Sequence, residues 1–120
     1  MSTVTLYGLK NCDTCTKARR WLATQGIDHR FVDLRAEGVE RERIRRWLDE
    51  VGPETLINRR SRTWRELDES ERTVTGDGAA ADLLQQYPTL IKRPVLELDT
   101  GGVVVGFSGP RYETALAGAD

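Results

Sequence analysis

The chain has 120 residues, a length that suits one domain with a modest hydrophobic core. Its net charge of −1 gives no support to electrostatic binding of nucleic acid across the whole surface. No stretch approaches the length of a membrane span, and the first residues lack the basic-then-apolar pattern of a signal peptide. We therefore expect a cytoplasmic protein, a monomer, that binds neither membranes nor nucleic acid directly.

Two cysteines, Cys12 and Cys15, lie between a strand pattern and a helix pattern. Residues 4–7 are mostly β-branched or aromatic and predict a strand, and helical spacing at about 13–25 predicts a helix. A cysteine attacks as the thiolate, and the free N–H groups and the dipole at a helix start stabilise negative charge. We predict that Cys12 is the attacking thiol. Cys15, one helical turn later, would resolve the mixed disulfide or close a disulfide with Cys12.

Two other interpretations of the cysteine pair remain open. Half of a zinc site is one alternative, but the chain has no second cysteine pair and His29 is its only histidine. The cysteines could also be inert core residues. The order of strand, turn, Cys-x-x-Cys and helix favours redox chemistry over both alternatives, in a compartment where a cysteine pair can cycle. Lys10 and Lys17 would add positive potential near the sulfur atoms.

The rest of the chain continues as an alternation of strands and helices. The patterns predict, in order, a strand at 27–33, a helix at 39–51, a helical turn at 54–56, loop and turn at 57–67, a helix at 79–87, strands at 95–98 and 103–105, and a last helix from 109. The first two strands should pair in parallel through a right-handed crossover. This order predicts an α/β, thioredoxin-like fold with a central helical insertion. We expect one domain over residues 1–120, with the insertion at about 37–90.

Pro94 gains a role from this layout. In thioredoxin-like folds, a proline at the start of the third strand faces the active cysteine, usually after a cis peptide bond. A cis bond costs little only before proline. By this analogy we predict a cis Arg93–Pro94 bond beside Cys12, ahead of an ordinary trans proline at a strand start.

Several collinear blocks of sequence resemble one known family. They are Tyr7–Thr14, Lys17–Leu22, Asn58–Arg60, Thr63–Asp68, Ile91–Pro94 and Gly106–Ser108. Together they cover nearly the whole chain and resemble the ArsC/Spx family, especially its YffB branch. The resemblance implies a thioredoxin-like domain with a helical insertion. It also implies a thiol-dependent reductase, which in the arsenate-reductase branch draws electrons from glutathione and glutaredoxin.

The same resemblance implies the site and its partners. Cys12 matches the family's catalytic cysteine, Arg93 matches an arginine that binds the oxyanion, and Arg60 matches an arginine near the cysteine in the Spx and YffB branches. No bound cofactor is expected; glutathione would be the co-substrate, glutaredoxin or thioredoxin a partner, and a small oxyanion or a mixed disulfide the substrate. The expected site comprises the catalytic residues Cys12 and Cys15 and the substrate-binding residues Lys10, Asn11, Arg60, Arg93 and Pro94.

The chain departs from the arsenate-reductase pattern at two points. A third arginine follows the last strand in arsenate reductases, where this chain has Gly106–Ser108, and Arg111 lies close but does not align. Cys15 is absent from most arsenate-reductase and YffB sequences, whereas Spx regulators carry a cysteine there and use the disulfide as a switch. Two hypotheses follow: a glutathione-linked, arsenate reductase-like enzyme, or an Spx-type redox sensor that binds RNA polymerase.

Overall fold

The computed structural model describes residues 4–117, and residues 1–3 and 118–120 lie outside the described part. Its elements are, in chain order, β1 (Val4–Gly8), α1 (Asp13–Thr24), β2 (His29–Asp33), α2 (Leu34–Glu37), α3 (Arg41–Val51), α4 (Pro53–Leu56), α5 (Arg62–Glu66), α6 (Glu69–Arg72), α7 (Asp77–Gln86), a 3-10 turn (Pro88–Leu90), β3 (Val95–Glu97), β4 (Val103–Val105) and α8 (Gly109–Ala117). The described chain divides into two units. Residues 4–34 and 93–117 belong to the first unit, and Arg35–Lys92 form the second.

The first unit is built on a four-stranded sheet with the strand order β2-β1-β3-β4. β1 pairs in parallel with β2, and β3 pairs antiparallel with both β1 and β4. Alternate residues of β1 face the same side of the sheet, and α1 presents residues four apart to it. The buried core is Val4, Leu6, Ala18, Leu22, Leu96 and Tyr112. This is the predicted α/β, thioredoxin-like arrangement.

The second unit is helical. α3 buries Ile44, Trp47 and Leu48, which follow the spacing of one helix face, and it packs against α7. At the rim of this contact, Nε of Arg41 donates to a carboxylate oxygen of Asp82 over 2.6 Å. The predicted helix at 79–87 is confirmed as α7, which starts slightly earlier. The prediction of one domain with an inserted segment stays a prediction.

The prediction of loop and turn at 57–67 is wrong at α5, which occupies Arg62–Glu66. A helix of five residues is too short to show a hydrophobic period, and it begins because Ser61 Oγ accepts the Trp64 N–H over 3.2 Å. α6 was likewise not predicted. It starts at a reciprocal capping box, in which Asp68 and Glu71 accept each other's backbone N–H groups.

The predicted strand ends shift by one or two residues. β2 begins at His29, not at Ile27, and β3 ends at Glu97. Leu98 belongs to the turn, where its N–H donates to Gly102 O over 2.8 Å and its carbonyl accepts from Gly101 N–H over 3.0 Å. Within the described part of the chain, each helix is too short or too polar to cross a bilayer.

Candidate active site

Cys12 lies at the start of α1, as predicted. It is the N-cap residue, with extended backbone angles of φ −101° and ψ 121°. A tight turn precedes it, in which the Cys12 N–H donates to Leu9 O over 3.3 Å. Because an N-cap residue faces the free N–H groups of the first helical turn, the Cys12 sulfur lies where negative charge is favoured. Cys12 is partly exposed, so a small substrate can reach it.

The surroundings of Cys12 lower the pKa of its thiol. Partial burial alone would raise the pKa, but contacts from the backbone and side chain of Cys15, the Thr14 N–H and the positive charge of Arg93 outweigh it. The contacts at the helix start are weaker than a full capping hydrogen bond. Their sum still favours the thiolate, which is the reactive form of cysteine.

Cys15 lies in the opposite environment. It is fully buried, and a Cβ built on Gly8 would lie 2.5 Å from the Cys15 sulfur, so only a residue without a side chain fits there. Burial is the main cause that raises the pKa of Cys15 to about 12, and the neighbouring Cys12 adds to it. Cys12 is therefore the more acidic thiol of the pair, whereas the predicted roles of Cys12 as attacking thiol and Cys15 as resolving thiol stay predictions. Both cysteines are free thiols.

The Arg93–Pro94 peptide bond is cis, as predicted. Pro94 is buried directly before β3, and its carbonyl accepts the Gly106 N–H over 2.8 Å. The guanidinium of Arg93 is near enough to lower the pKa of both Cys12 and Cys15. Arg93, directly before the cis bond, thus adds positive charge near both sulfur atoms. Its binding of an oxyanion stays a prediction.

The other predicted site residues divide into two groups. Lys10 and Asn11 have exposed side chains in the loop before Cys12, and the Lys10 N–H donates to Asp33 Oδ2 over 3.1 Å. Arg60 belongs to the second unit, where it is exposed in a turn and its N–H donates to Asn58 Oδ1 over 3.1 Å. An action of Arg60 on Cys12 stays a prediction.

Sequence reasoning missed two side chains of the first unit. Asp33 is buried at the end of β2, opposite Gly8 in the parallel register. Arg111 was set aside because it does not align with the family's third arginine, yet its Nη1 lies 3.6 Å from a Cβ built on Gly106. Since the Gly106 N–H donates to the Pro94 carbonyl, Arg111 lies next to a residue that is hydrogen-bonded to the cis proline. An acidic residue at the last position of a strand was the signal available for Asp33.

Comparison with known proteins gives one consistent family. Residues 7–115 match the sequence profile of the ArsC family. The structure resembles a YffB protein (42% identity, TM-score 0.88, covering 94% of this chain and 98% of that one). It also resembles an arsenate reductase-related protein from Brucella melitensis (45% identity, TM-score 0.72, 93% and 92%). The global transcriptional regulator Spx of Lactiplantibacillus plantarum is 31% identical over 88% of this chain and 80% of its own length. The chain belongs to the ArsC family.

Proposed function

We propose that the protein is a glutathione-linked thiol reductase of arsenate-reductase type, with Cys12 as its nucleophile. The observation that carries the proposal is the contrast at the first turn of α1. The partly exposed Cys12 has a lowered pKa, with Arg93 nearby, whereas the buried Cys15 stays protonated. Helix N–H groups and an arginine that activate one accessible cysteine are typical of a catalytic thiolate. The reducing cytoplasm would supply the glutathione.

The same first step serves two classes of substrate. With a mixed glutathione disulfide, the Cys12 thiolate attacks the glutathione sulfur, the S–S bond breaks, and the departing thiolate takes a proton. With arsenate, the thiolate bonds to arsenic and a protonated oxygen leaves as water. A glutathione thiolate then attacks the Cys12 sulfur, the S–As bond breaks, and its electron pair reduces As(V) to As(III). Both routes end in a disulfide between Cys12 and glutathione.

A second glutathione closes the cycle. Its thiolate attacks the glutathione sulfur of that disulfide, which yields oxidised glutathione and restores the Cys12 thiolate. Cys15 is a poor competitor for this step because it is buried and its pKa is about 12. Part of that raised pKa comes from the negative charge of Cys12, which vanishes while Cys12 is in a disulfide. Cys15 would then resolve Cys12 slowly, with glutaredoxin or thioredoxin reducing the resulting pair.

An arginine can bind the anionic end of either substrate, because its guanidinium donates two parallel hydrogen bonds to an oxyanion or a carboxylate. Arg93 is the first candidate, since its charge already acts on Cys12. Arg111 is the second, because its guanidinium lies against Gly106. Arg111 would provide the additional positive charge that the aligned position lacks.

A coupled turnover assay tests the proposal. The purified protein is given reduced glutathione and glutathione reductase, with one of two substrates. Arsenate is tested with glutaredoxin present, and a small mixed glutathione disulfide is tested without it, because glutaredoxin itself reduces such disulfides. We expect turnover with at least one substrate, and a Cys12→Ser variant without turnover. Absence of turnover with both substrates, from a protein whose Cys12 still alkylates, would contradict the proposal.

Arg111→Ala then separates the two substrates. If Arg111 holds an oxyanion, this variant loses arsenate turnover more than disulfide turnover. Arg20→Ala is the matched control, because Arg20 is an exposed arginine on α1. Equal losses from Arg111→Ala and Arg20→Ala would remove Arg111 from the site.

A second candidate function is a redox sensor like Spx. Two observations favour it: the Spx relative, and the position of Cys15 one turn after Cys12, close enough for each to act on the other's pKa. Such a sensor would bind RNA polymerase in a manner that depends on a Cys12–Cys15 disulfide. Pull-down of purified RNA polymerase under oxidising and reducing conditions tests this, with Cys15→Ser as control. Binding that is absent in both conditions excludes the sensor.

A further inference from the structure

The loop between β1 and α1 carries Cys12, and a buried carboxylate holds it. Asp33 is only 9% exposed, whereas the side chains of Lys10 and Asn11 in the loop are exposed. Its Oδ2 accepts the backbone N–H of Lys10 over 3.1 Å. A carboxylate is expensive to bury and is retained where it makes charge-assisted hydrogen bonds. The bond therefore restrains a segment that has few other buried groups.

The register of the sheet explains how Asp33 reaches the loop. Asp33 pairs with Gly8 at the end of the parallel strands β1 and β2, and the chain leaves β1 at Gly8 to enter the loop. Both strands end at the same edge, so the last side chain of β2 lies beside the first residues after β1. The restraint thus acts two residues before Cys12.

The other end of the loop is restrained as well. The Cys12 N–H donates to Leu9 O over 3.3 Å, and Cys12 Sγ must lie over the N–H groups of Thr14 and Cys15 to gain from them. Those contacts fall off steeply with distance and angle. A small displacement of the loop would therefore separate the sulfur from the helix start.

We propose that Asp33 is a positioning residue for Cys12: its carboxylate fixes the loop through the Lys10 N–H and so holds the Cys12 sulfur over the first turn of α1. The inference rests on the proposed function only in taking Cys12 as the reactive thiol. In this proposal Asp33 acts through the backbone, whereas a negative charge on its carboxylate would oppose a thiolate. These two effects have opposite signs, which makes them separable by experiment.

The test compares the pH dependence of Cys12 alkylation in the wild type, Asp33→Ala and Asp33→Asn. Asparagine keeps an oxygen that can accept the Lys10 N–H, whereas alanine removes it. We expect Asp33→Ala to raise the Cys12 pKa and slow alkylation at pH 7 by about threefold to tenfold, and Asp33→Asn to stay within about twofold of wild type. Asp28→Ala is the matched control, because it removes an exposed carboxylate near the start of β2. It should leave the rate unchanged.

If Asp33 acted by charge alone, both variants would lose a negative charge, the Cys12 pKa would fall, and alkylation would speed up. That result overturns the proposal. A purely structural role would lower the free energy of unfolding without moving the thiol pKa of the folded protein, and it overturns the proposal equally.

A measurement on the wild type guards against a variant that does not fold. Hydrogen exchange at the Lys10 amide should be clearly slower than at the neighbouring exposed Asn11, and an unprotected Lys10 amide would overturn the proposal. None of these readouts needs turnover. A protein without reductase activity whose Asp33→Ala variant still raises the Cys12 pKa would refute the proposed function and leave this inference standing.

Discussion

Cys12 at the exposed start of α1 and Cys15 in its buried contact with Gly8 lie one helical turn apart. Their surroundings shift the pKa of the thiol in opposite directions. At the helix start, N–H groups and Arg93 lower the pKa of the thiol. One turn further, burial raises the pKa to about 12. The difference shows that the surroundings of each sulfur, and not the residue type, decide whether the pKa of the thiol falls or rises.

The contrast predicts unequal effects of removing each thiol. Cys12→Ser removes the only activated sulfur, and we expect turnover to fall by at least about 10³-fold. Cys15→Ser should keep most of the glutathione-dependent turnover, because glutathione resolves Cys12. Steady-state rates with saturating glutathione measure both. Equal losses from the two variants would mean that Cys15 is an obligatory resolving thiol.

Arg93 lies outside the helix, and its positive charge lowers the pKa of Cys12 as well as that of Cys15. Arg93→Lys keeps the charge but loses the planar fork, whereas Arg93→Ala loses both. We expect turnover to fall by about tenfold or more in both variants, and the Cys12 pKa to rise in Arg93→Ala. Substrate titration and alkylation against pH provide the two readouts. Wild-type turnover and thiol pKa in both variants would make Arg93 an ordinary surface residue.

A substitution at Gly8 tests the close packing around the buried Cys15. A methyl group there would lie 2.5 Å from Cys15 Sγ, so Gly8→Ala should lower the free energy of unfolding by about 1–3 kcal/mol through overpacking. The double variant Gly8→Ala/Cys15→Ala removes the clashing sulfur and should recover part of the loss. Urea unfolding of the wild type, the two single variants Gly8→Ala and Cys15→Ala, and the double variant gives the coupling energy between the two positions. Strictly additive effects would show that the two residues do not constrain each other.

The smallest expected effect is a pH dependence of stability. The lowered pKa of Cys12 means that the folded state ionises first, so this thiol adds stability above its unfolded pKa and loses it as pH falls through the folded pKa. Because the pKa of Cys15 is raised, its contribution to stability changes with pH in the opposite direction. Its contribution is complete below the unfolded value of 9.0 and is lost as pH rises towards about 12. Between these values the wild type should lose more stability than Cys15→Ala, measured by urea unfolding under reducing conditions.

Much of this architecture could be predicted from the sequence, because it depends on local patterns. The strand before Cys12 and the α1 helix follow from short-range residue order. The cis bond before Pro94 was predictable only by analogy with thioredoxin-like folds, because a proline tolerates a cis bond but does not require one. α5 and α6 could not be predicted in this way. They span five and four residues, so their starts depend on caps and not on a hydrophobic period.

The two side chains that sequence reasoning missed are placed by the strand register and the turns of the folded chain. Asp33 binds the Lys10 amide 23 positions away, and the parallel register of β1 and β2 brings them together. Arg111 approaches Gly106 because the chain turns back between β4 and α8. A single sequence contains no periodicity that reports either contact.

Site-resolved alkylation of the wild-type protein against pH tests the central claim most directly. The reduced protein is treated with a small alkylating reagent from about pH 4 to 10, and each cysteine is followed by mass spectrometry of its peptide. We predict that Cys12 titrates below the usual cysteine pKa and reacts throughout the neutral range, while Cys15 stays protected up to the highest pH. Faster alkylation of Cys15 than of Cys12 at pH 7 would contradict the account.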